Sequence, residues 1–213
     1  MGPRPLVFVV ALLVFSVLAP QTASAQDNRP YVHDRGFFLR LSAGLGYAAT
    51  EAADVEFNGF AGDGNFAIGA IVSPGLALHG TLLGWSVTEP DVEVGSFEGE
   101  ADDVTTSMSG VGAGLTYYLL PSNVYFSGSL CAATLRLEAD FPGALTVTTE
   151  SGTGIAIDLG VGKEWWVGKR WGLGLTGGLG FHSIAVECDD CDQDTDENWS
   201  GANYTVRFSA TYN

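Results

Sequence analysis

One pattern constrains this chain more than any other. In eight stretches, apolar residues alternate one by one with small or polar ones. Period-two alternation puts successive side chains on opposite faces, so each stretch reads as a β-strand with one apolar face. The strands are expected at residues 37–49, 62–73, 76–88, 105–120, 124–138, 152–167, 171–186 and 202–213. In the first, Phe37, Leu39, Leu41, Ala43, Leu45 and Tyr47 oppose Phe38, Arg40, Ser42, Gly44 and Gly46. In the sixth, Ile155, Ile157, Leu159, Val161 and Trp165 oppose Ala156, Asp158, Gly160, Gly162 and Glu164. The seventh and last strands repeat the arrangement, with His182 and Arg207 on their polar faces. The third and fifth alternate poorly, and their facing stays open.

The connections alternate as well. Ser73-Pro74-Gly75, Pro121-Ser122-Asn123 and Gly168-Lys169-Arg170 are tight and carry turn residues. The other four, near residues 50–61, 89–104, 139–151 and 187–201, are long and acidic. An even strand number with short turns at one end and long loops at the other is the layout of a membrane-spanning barrel. The expected fold is all-β: an eight-stranded antiparallel transmembrane β-barrel of meander topology over residues 37–213. Both termini would lie at the short-turn, periplasmic end.

The first 25 residues read as a removable address. Arg4 precedes an apolar run over residues 6–18, and Ala23-Ser24-Ala25 supplies a small-residue cleavage site before Gln26. The run is short for a membrane span, and Pro20 ends it. Residues 26–36 then form a periplasmic lead. Export also permits a Cys188–Cys191 disulfide, with Cys131 left over in an apolar segment.

A soluble, lipocalin-like barrel would alternate too, but with its apolar face inward. Aromatic placement favours the opposite arrangement. Tyr117, Phe126, Trp165, Trp171 and Tyr212 gather at the short-turn end, where an interfacial girdle belongs. Tyr47, Trp85, Phe181 and Tyr204 form a thinner set near the loops. Lys163 interrupts the apolar face of the sixth strand and is placed to snorkel to the interface.

The lead Tyr31-Val32-His33-Asp34-Arg35-Gly36 into Phe37-Phe38-Leu39-Arg40-Leu41, with the closing strand from Tyr204 to Tyr212, resembles the small outer-membrane barrels of the OmpA/OmpX type. The resemblance covers the chain from residue 26 onward as a pattern rather than a motif. Asn213 follows Tyr212 where that family usually ends on an aromatic residue. The resemblance implies a monomer in the bacterial outer membrane. Its partners would be outer-membrane lipid, lipopolysaccharide and the barrel-assembly machinery.

Charge is strongly asymmetric. The net charge is −16, and no Lys or Arg interrupts the acidic runs of the four long connections. Glu51, Asp54, Glu56 and Asp63 are counted with the first of these, at the loop or the strand tip. Such a rim repels nucleic acid and concentrates cations. Asp190, Asp192, Asp194 and Asp196 alternate, and carboxylate oxygens suit Ca²⁺, so the 187–197 loop is a candidate divalent-cation site. The turn glycine of an EF-hand loop is absent there. No other cofactor is expected.

Eight strands enclose room for side chains or one small ligand. Arg40, Asp158, Glu164 and Arg207 are expected inside as a paired polar network, with Arg136 and Glu138 as candidate further members. Inner-face glycines such as Gly160 and Gly162 leave three alternatives: space for bulky neighbours such as Phe38 or Tyr118, relief of sheet curvature, or a cavity. His182-Ser183 is the best enzyme candidate, by analogy with lipid A deacylases that carry His and Ser on a barrel. Adjacent strand residues point to opposite faces, however, so the two cannot cooperate. The expected protein is non-enzymatic and has a structural or surface-interaction role. The alternative is a narrow channel for small or hydrophobic solutes, as in OmpW-like barrels.

Overall fold

A computed structural model describes residues 33, 36–53, 55–94, 97–100, 103–141, 145–150, 152–185 and 198–213. The signal-peptide reading, Cys188, Cys191 and the run Asp190, Asp192, Asp194 and Asp196 lie outside the described residues.

Eleven strands follow one another: β1 (Gly36–Ala52), β2 (Val55–Ser73), β3 (Leu76–Thr88), β4 (Asp91–Val94), β5 (Phe97–Glu100), β6 (Val104–Leu119), β7 (Val124–Phe141), β8 (Leu145–Glu150), β9 (Gly154–Trp166), β10 (Trp171–Ala185) and β11 (Asn198–Tyr212). Eight of them close a barrel. β1, β2, β3, β6, β7, β9, β10 and β11 pair in that order, all antiparallel, and β11 returns to β1. The closing seam runs from Leu39 opposite Tyr212 to Glu51 opposite Ser200.

Three expected loops are largely paired backbone. β1 and β2 continue to Ala52 opposite Val55, so residues 50–61 are mostly strand. β4 extends the β3 direction along β2, and β5 hairpins back onto it. β8 does the same for β9 along β7. Hydrophobic alternation misses these extensions because they are short and broken by acidic residues such as Glu51, Glu56, Glu93 and Glu98. Paired N–H and C=O groups hold them without a buried apolar face.

The short turns follow their residues. Gly75 sits at φ +76°, a conformation open to glycine, which lets Ser73-Pro74-Gly75 reverse the chain tightly. Its N–H donates to the His33 carbonyl at 2.8 Å, and its carbonyl accepts from the Tyr118 N–H at 2.7 Å. That pair ties the N-terminal lead to the turn end of the barrel.

The two faces of the wall are chemically inverted relative to a soluble domain. Leu41, Leu45, Leu78, Leu82, Val111, Leu130, Leu159, Leu173, Leu179 and Phe208 are exposed on the outside, Phe208 to 75%. Arg40, Asp63, Asp158, Glu164 and Arg207 are buried inside. The lipocalin-like alternative requires the reverse. The open facing of the third and fifth predicted strands is settled too. Ala77, His79, Thr81, Trp85 and Val87 of β3 and Tyr125, Ser129, Cys131, Ala133 and Leu135 of β7 are buried within. Trp85 therefore does not belong to the loop-side girdle: it is 4% exposed and packs in the lumen. Arg136 and Glu138 are outside, paired with each other at 3.6 Å and about half exposed, because they share the parity of Phe126 and Leu130.

Inner-face glycine makes room for bulk. A Cβ on Gly162 would lie 2.5 Å from the Tyr125 ring, so the ring crosses the lumen only because that position carries none. Gly162→Val should displace Tyr125 and lower unfolding stability by about 1–3 kcal/mol. Urea titration in detergent micelles, read by the boiling-dependent gel shift, would measure it. An unchanged midpoint would show that the ring relocates freely.

Candidate functional site

The interior is layered. At the turn end, Arg40 of β1 reaches across the lumen. Its guanidinium donates to Thr211 Oγ1 and Thr116 Oγ1, both at 3.3 Å, to the Tyr118 hydroxyl, and to Glu164 Oε1 at 3.2 Å. The guanidinium carbon lies 4.1 Å from the Tyr125 ring centroid, a cation–π stack. Tyr118 and Thr211 also donate to Glu164 Oε1, at 3.0 and 2.6 Å. A buried charge persists only when paired and hydrogen-bonded, and this carboxylate oxygen has three donors.

His33 covers this layer from the lead. It is fully buried, and its ring stacks on Tyr118 with centroids 3.6 Å apart. Its Nδ1 and the Asn213 side-chain nitrogen are 2.9 Å apart. With Asn213 as donor, Nδ1 accepts and the proton of the neutral ring sits on Nε2. Nε2 faces Glu164 Oε2 at 4.0 Å. Burial lowers the His33 pKa below its ordinary 6.5, while Glu164 pulls it upward and Arg40 pushes it down.

At mid-height, Arg207 of β11 is clasped from two sides. It donates to both oxygens of Asp63 on β2, with Nη2 at 3.0 Å from Oδ2, and to Asp158 of β9 at 2.9 and 2.7 Å. Two bidentate carboxylates use the full planar fork of the guanidinium. Beside them, His79 meets Thr81 Oγ1 at 2.8 Å and Thr116 Oγ1 at 3.2 Å. The void left between these layers is about 20 Å³, lined by Arg40, His79, Tyr125, Ser129, Asp158 and Arg207 among others. Holding one water takes roughly 10–15 Å³, so the void has room for about one. Toward the loop end an apolar cluster of Trp85, Val87, Met108, Cys131, Leu135 and Ile184 packs in the lumen beside His182 and Thr50.

The structure thus joins Arg40 to Glu164 and Arg207 to Asp158. It adds Asp63, which the sequence reading assigned to the acidic rim. Its parity with Ala61 and Ala67, both inward, is the signal that distinguishes it. Tyr118 is legible as a bulky inward residue by its parity with Thr116, whereas His33 carries no comparable signal. His182 is inside, with Nε2 3.0 Å from Thr50 Oγ1, while the neighbouring Ser183 is exposed outside. The pair makes no dyad. Among the described residues, no group of three His, Cys, Asp or Glu side chains could hold a metal ion.

The two rims differ in charge. At the loop end, register aligns Glu51 with Glu56, Glu56 with Glu93 and Glu93 with Glu98, one glutamate on each of four successive strands. Like charges directly opposite one another repel. At the turn end, Lys169 and Arg170 are exposed between β9 and β10, and the Lys163 ammonium lies 5.8 Å from the Trp165 ring. No exposed carboxylate accompanies them among the described residues.

Two outcomes follow from the interior. Arg207→Met would strand two buried carboxylates and should cost about 3–5 kcal/mol of unfolding free energy. Chemical denaturation in micelles measures this, and a loss below 1 kcal/mol would mean that water already solvates the site. For His33, the folded pKa lies below the unfolded value. The stability given by the docked neutral ring is therefore full above about pH 6.5 and declines as the pH falls below it. The stability gap between wild type and His33→Gln should be wider at pH 8 than at pH 5. A gap independent of pH would remove His33 protonation from the docking.

No protein-family model matches the chain, and no curated protein does. Solved structures are similar to it in shape. Neisserial surface protein A is 12% identical, with 84% of this chain and 97% of that one covered, at a TM-score of 0.49. The attachment invasion locus protein Ail of Yersinia pestis is 11% identical over 82% and 98%, at 0.47. The outer membrane protein OprG of Pseudomonas aeruginosa is 10% identical over 84% and 97%, at 0.43. The fold rests on the strand pairing itself. By strand number, order and closure, the chain is an eight-stranded antiparallel barrel of meander topology.

Proposed function

We propose that this chain is a non-enzymatic integral protein of the bacterial outer membrane, with a closed lumen and an acidic external surface. One observation carries the reading: charge is paired and sealed inside the wall, while large apolar side chains cover the outside. Water would penalise that exterior and lipid would not. A closed barrel also leaves no unpaired strand edge within the apolar layer.

The short turns and the His33 end face the periplasm in this reading. The extended hairpins face outward and present the glutamate ladder. Such a surface attracts divalent cations, including those that bridge lipopolysaccharide phosphates, and the run Asp190, Asp192, Asp194 and Asp196 would add Ca²⁺ ligands. Outer-membrane lipid and the barrel-assembly machinery are the remaining partners, and the chain acts as a monomer. A closed lumen is favoured over a narrow channel by the cross-lumen Arg40–Glu164 and Arg207 layers and by the apolar packing above them. The opposed facing of His182 and Ser183 weighs against a lipid A-modifying role.

The protein should fractionate with the outer membrane, shift in gel mobility on boiling, and give no stable unitary steps in planar bilayers. Periplasmic solubility would overturn the membrane reading, and discrete conductance would restore the channel. Replacing Glu51, Glu56 and Glu93 by Gln should stabilise the hairpins at low salt by about 0.2–1 kcal/mol per opposed pair. The gain should vanish in millimolar Ca²⁺. A gain unaffected by Ca²⁺ would show that the ladder does not recruit the ion.

A further inference from the structure

The basic residues of this acidic chain are unevenly placed. Arg40 and Arg207 are neutralised in the lumen, and Arg136 pairs with Glu138. Among the described residues Lys163, Lys169 and Arg170 remain, all on or beside the β9–β10 turn. Lys163 is the informative one. It shares the outer face with Ile157, Leu159, Val161 and Trp165, and register sets it opposite Val124 and Leu175. No carboxylate pairs with it among the described residues. A cation on the lipid-facing side of a barrel is costly unless it reaches the interface or a counter-ion. Its ammonium does lie against Trp165, one outward-facing step nearer the turn where Lys169 and Arg170 are exposed.

The turn is framed by aromatic rings. Trp171 meets Tyr212 edge-on at 5.2 Å, and Arg170 Nη1 donates to the Tyr212 hydroxyl at 2.9 Å. Beside Trp165 the outer wall dips where Ala43, Gly64 and Ala210 replace larger residues. That apolar depression, about 730 Å³, is walled by Leu41, Phe66, Leu173 and Phe208. Cations at its interfacial end and apolar walls along its length match one kind of molecule, an anion with hydrocarbon tails.

Resting on the membrane reading above, we infer that this face binds an anionic phospholipid of the periplasmic leaflet. Lys163, Lys169 and Arg170 take its phosphate, and Trp165, Leu173 and Ala210 take an acyl chain. The lipid supplies a counter-ion that no described carboxylate gives Lys163. Lipopolysaccharide belongs to the opposite leaflet, beside the glutamate ladder.

The test is lipid retention. The full chain is folded into vesicles of equimolar phosphatidylglycerol and phosphatidylcholine, extracted in mild detergent and weighed by native mass spectrometry. Phosphatidylglycerol should be retained over phosphatidylcholine by about tenfold, which corresponds to about 1.4 kcal/mol. The variant Lys163→Gln/Lys169→Gln/Arg170→Gln should lose the preference. The charge-preserving variant Lys163→Arg/Lys169→Arg/Arg170→Lys should keep it, with both variants showing the boiling-dependent gel shift. Soluble glycerol phosphate should not displace the lipid, and displacement would reassign the site to free phosphate. Insertion with equal retention of both lipids, or a preference that survives in the Gln variant, overturns this inference alone. Failure of the wild-type chain to insert overturns the membrane reading and this inference with it.

Discussion

Backbone polarity is the constraint on which the rest of the structure depends. Each strand carries a row of N–H and C=O groups, and an apolar surrounding offers them no partner. The β1–β11 seam meets that demand by leaving no edge, with pairing unbroken from Leu39 to Glu51. Once the wall is closed, its two faces answer to different media. The outside carries Leu, Val and Phe side chains, and the inside must resolve every polar group within its own narrow volume.

The interior resolves them through long side chains that span the lumen. Arg40 gathers groups from three other strands and Arg207 from two, so they act as cross-ties between separate parts of the wall. Charges sealed in this way contribute little net stability compared with apolar packing of the same shape. Their contribution is specificity of register. A one-residue slip of β11 would turn Arg207 out of the lumen and leave Asp63 and Asp158 facing each other.

Much of this was readable before any coordinates. All eight barrel strands lie where alternation places them, because a wall with two unlike faces writes period two into its sequence. The inward facing of Arg40, Asp158, Glu164 and Arg207 follows from the same parity. Their partnerships do not, since Asp63 and Arg207 are 144 residues apart and meet only when the barrel closes. Glu56 and Glu93 read as loop residues, because their short acidic extensions are held by backbone pairing, and Asp63, at the tip of an expected strand, reads as part of the acidic rim. Trp85 was read as a girdle residue from its position near a strand end, although ring size says nothing about facing. His33 is the clearest case of a residue that pattern cannot find: one ring outside the alternating strands, placed by Tyr118, Glu164 and Asn213 from three separate segments.

The seam also governs the order of events in the life of the chain. Its two halves are the first and last strands made, so no partial product can close the wall, however well its hairpins pair. Every intermediate before the arrival of β11 exposes an unpaired edge and a half-formed apolar face, both prone to aggregation. Long-range pairing of this kind is slow because loop closure comes before its reward. Closure of the wall therefore waits for the last strand, whatever hairpins have formed before it.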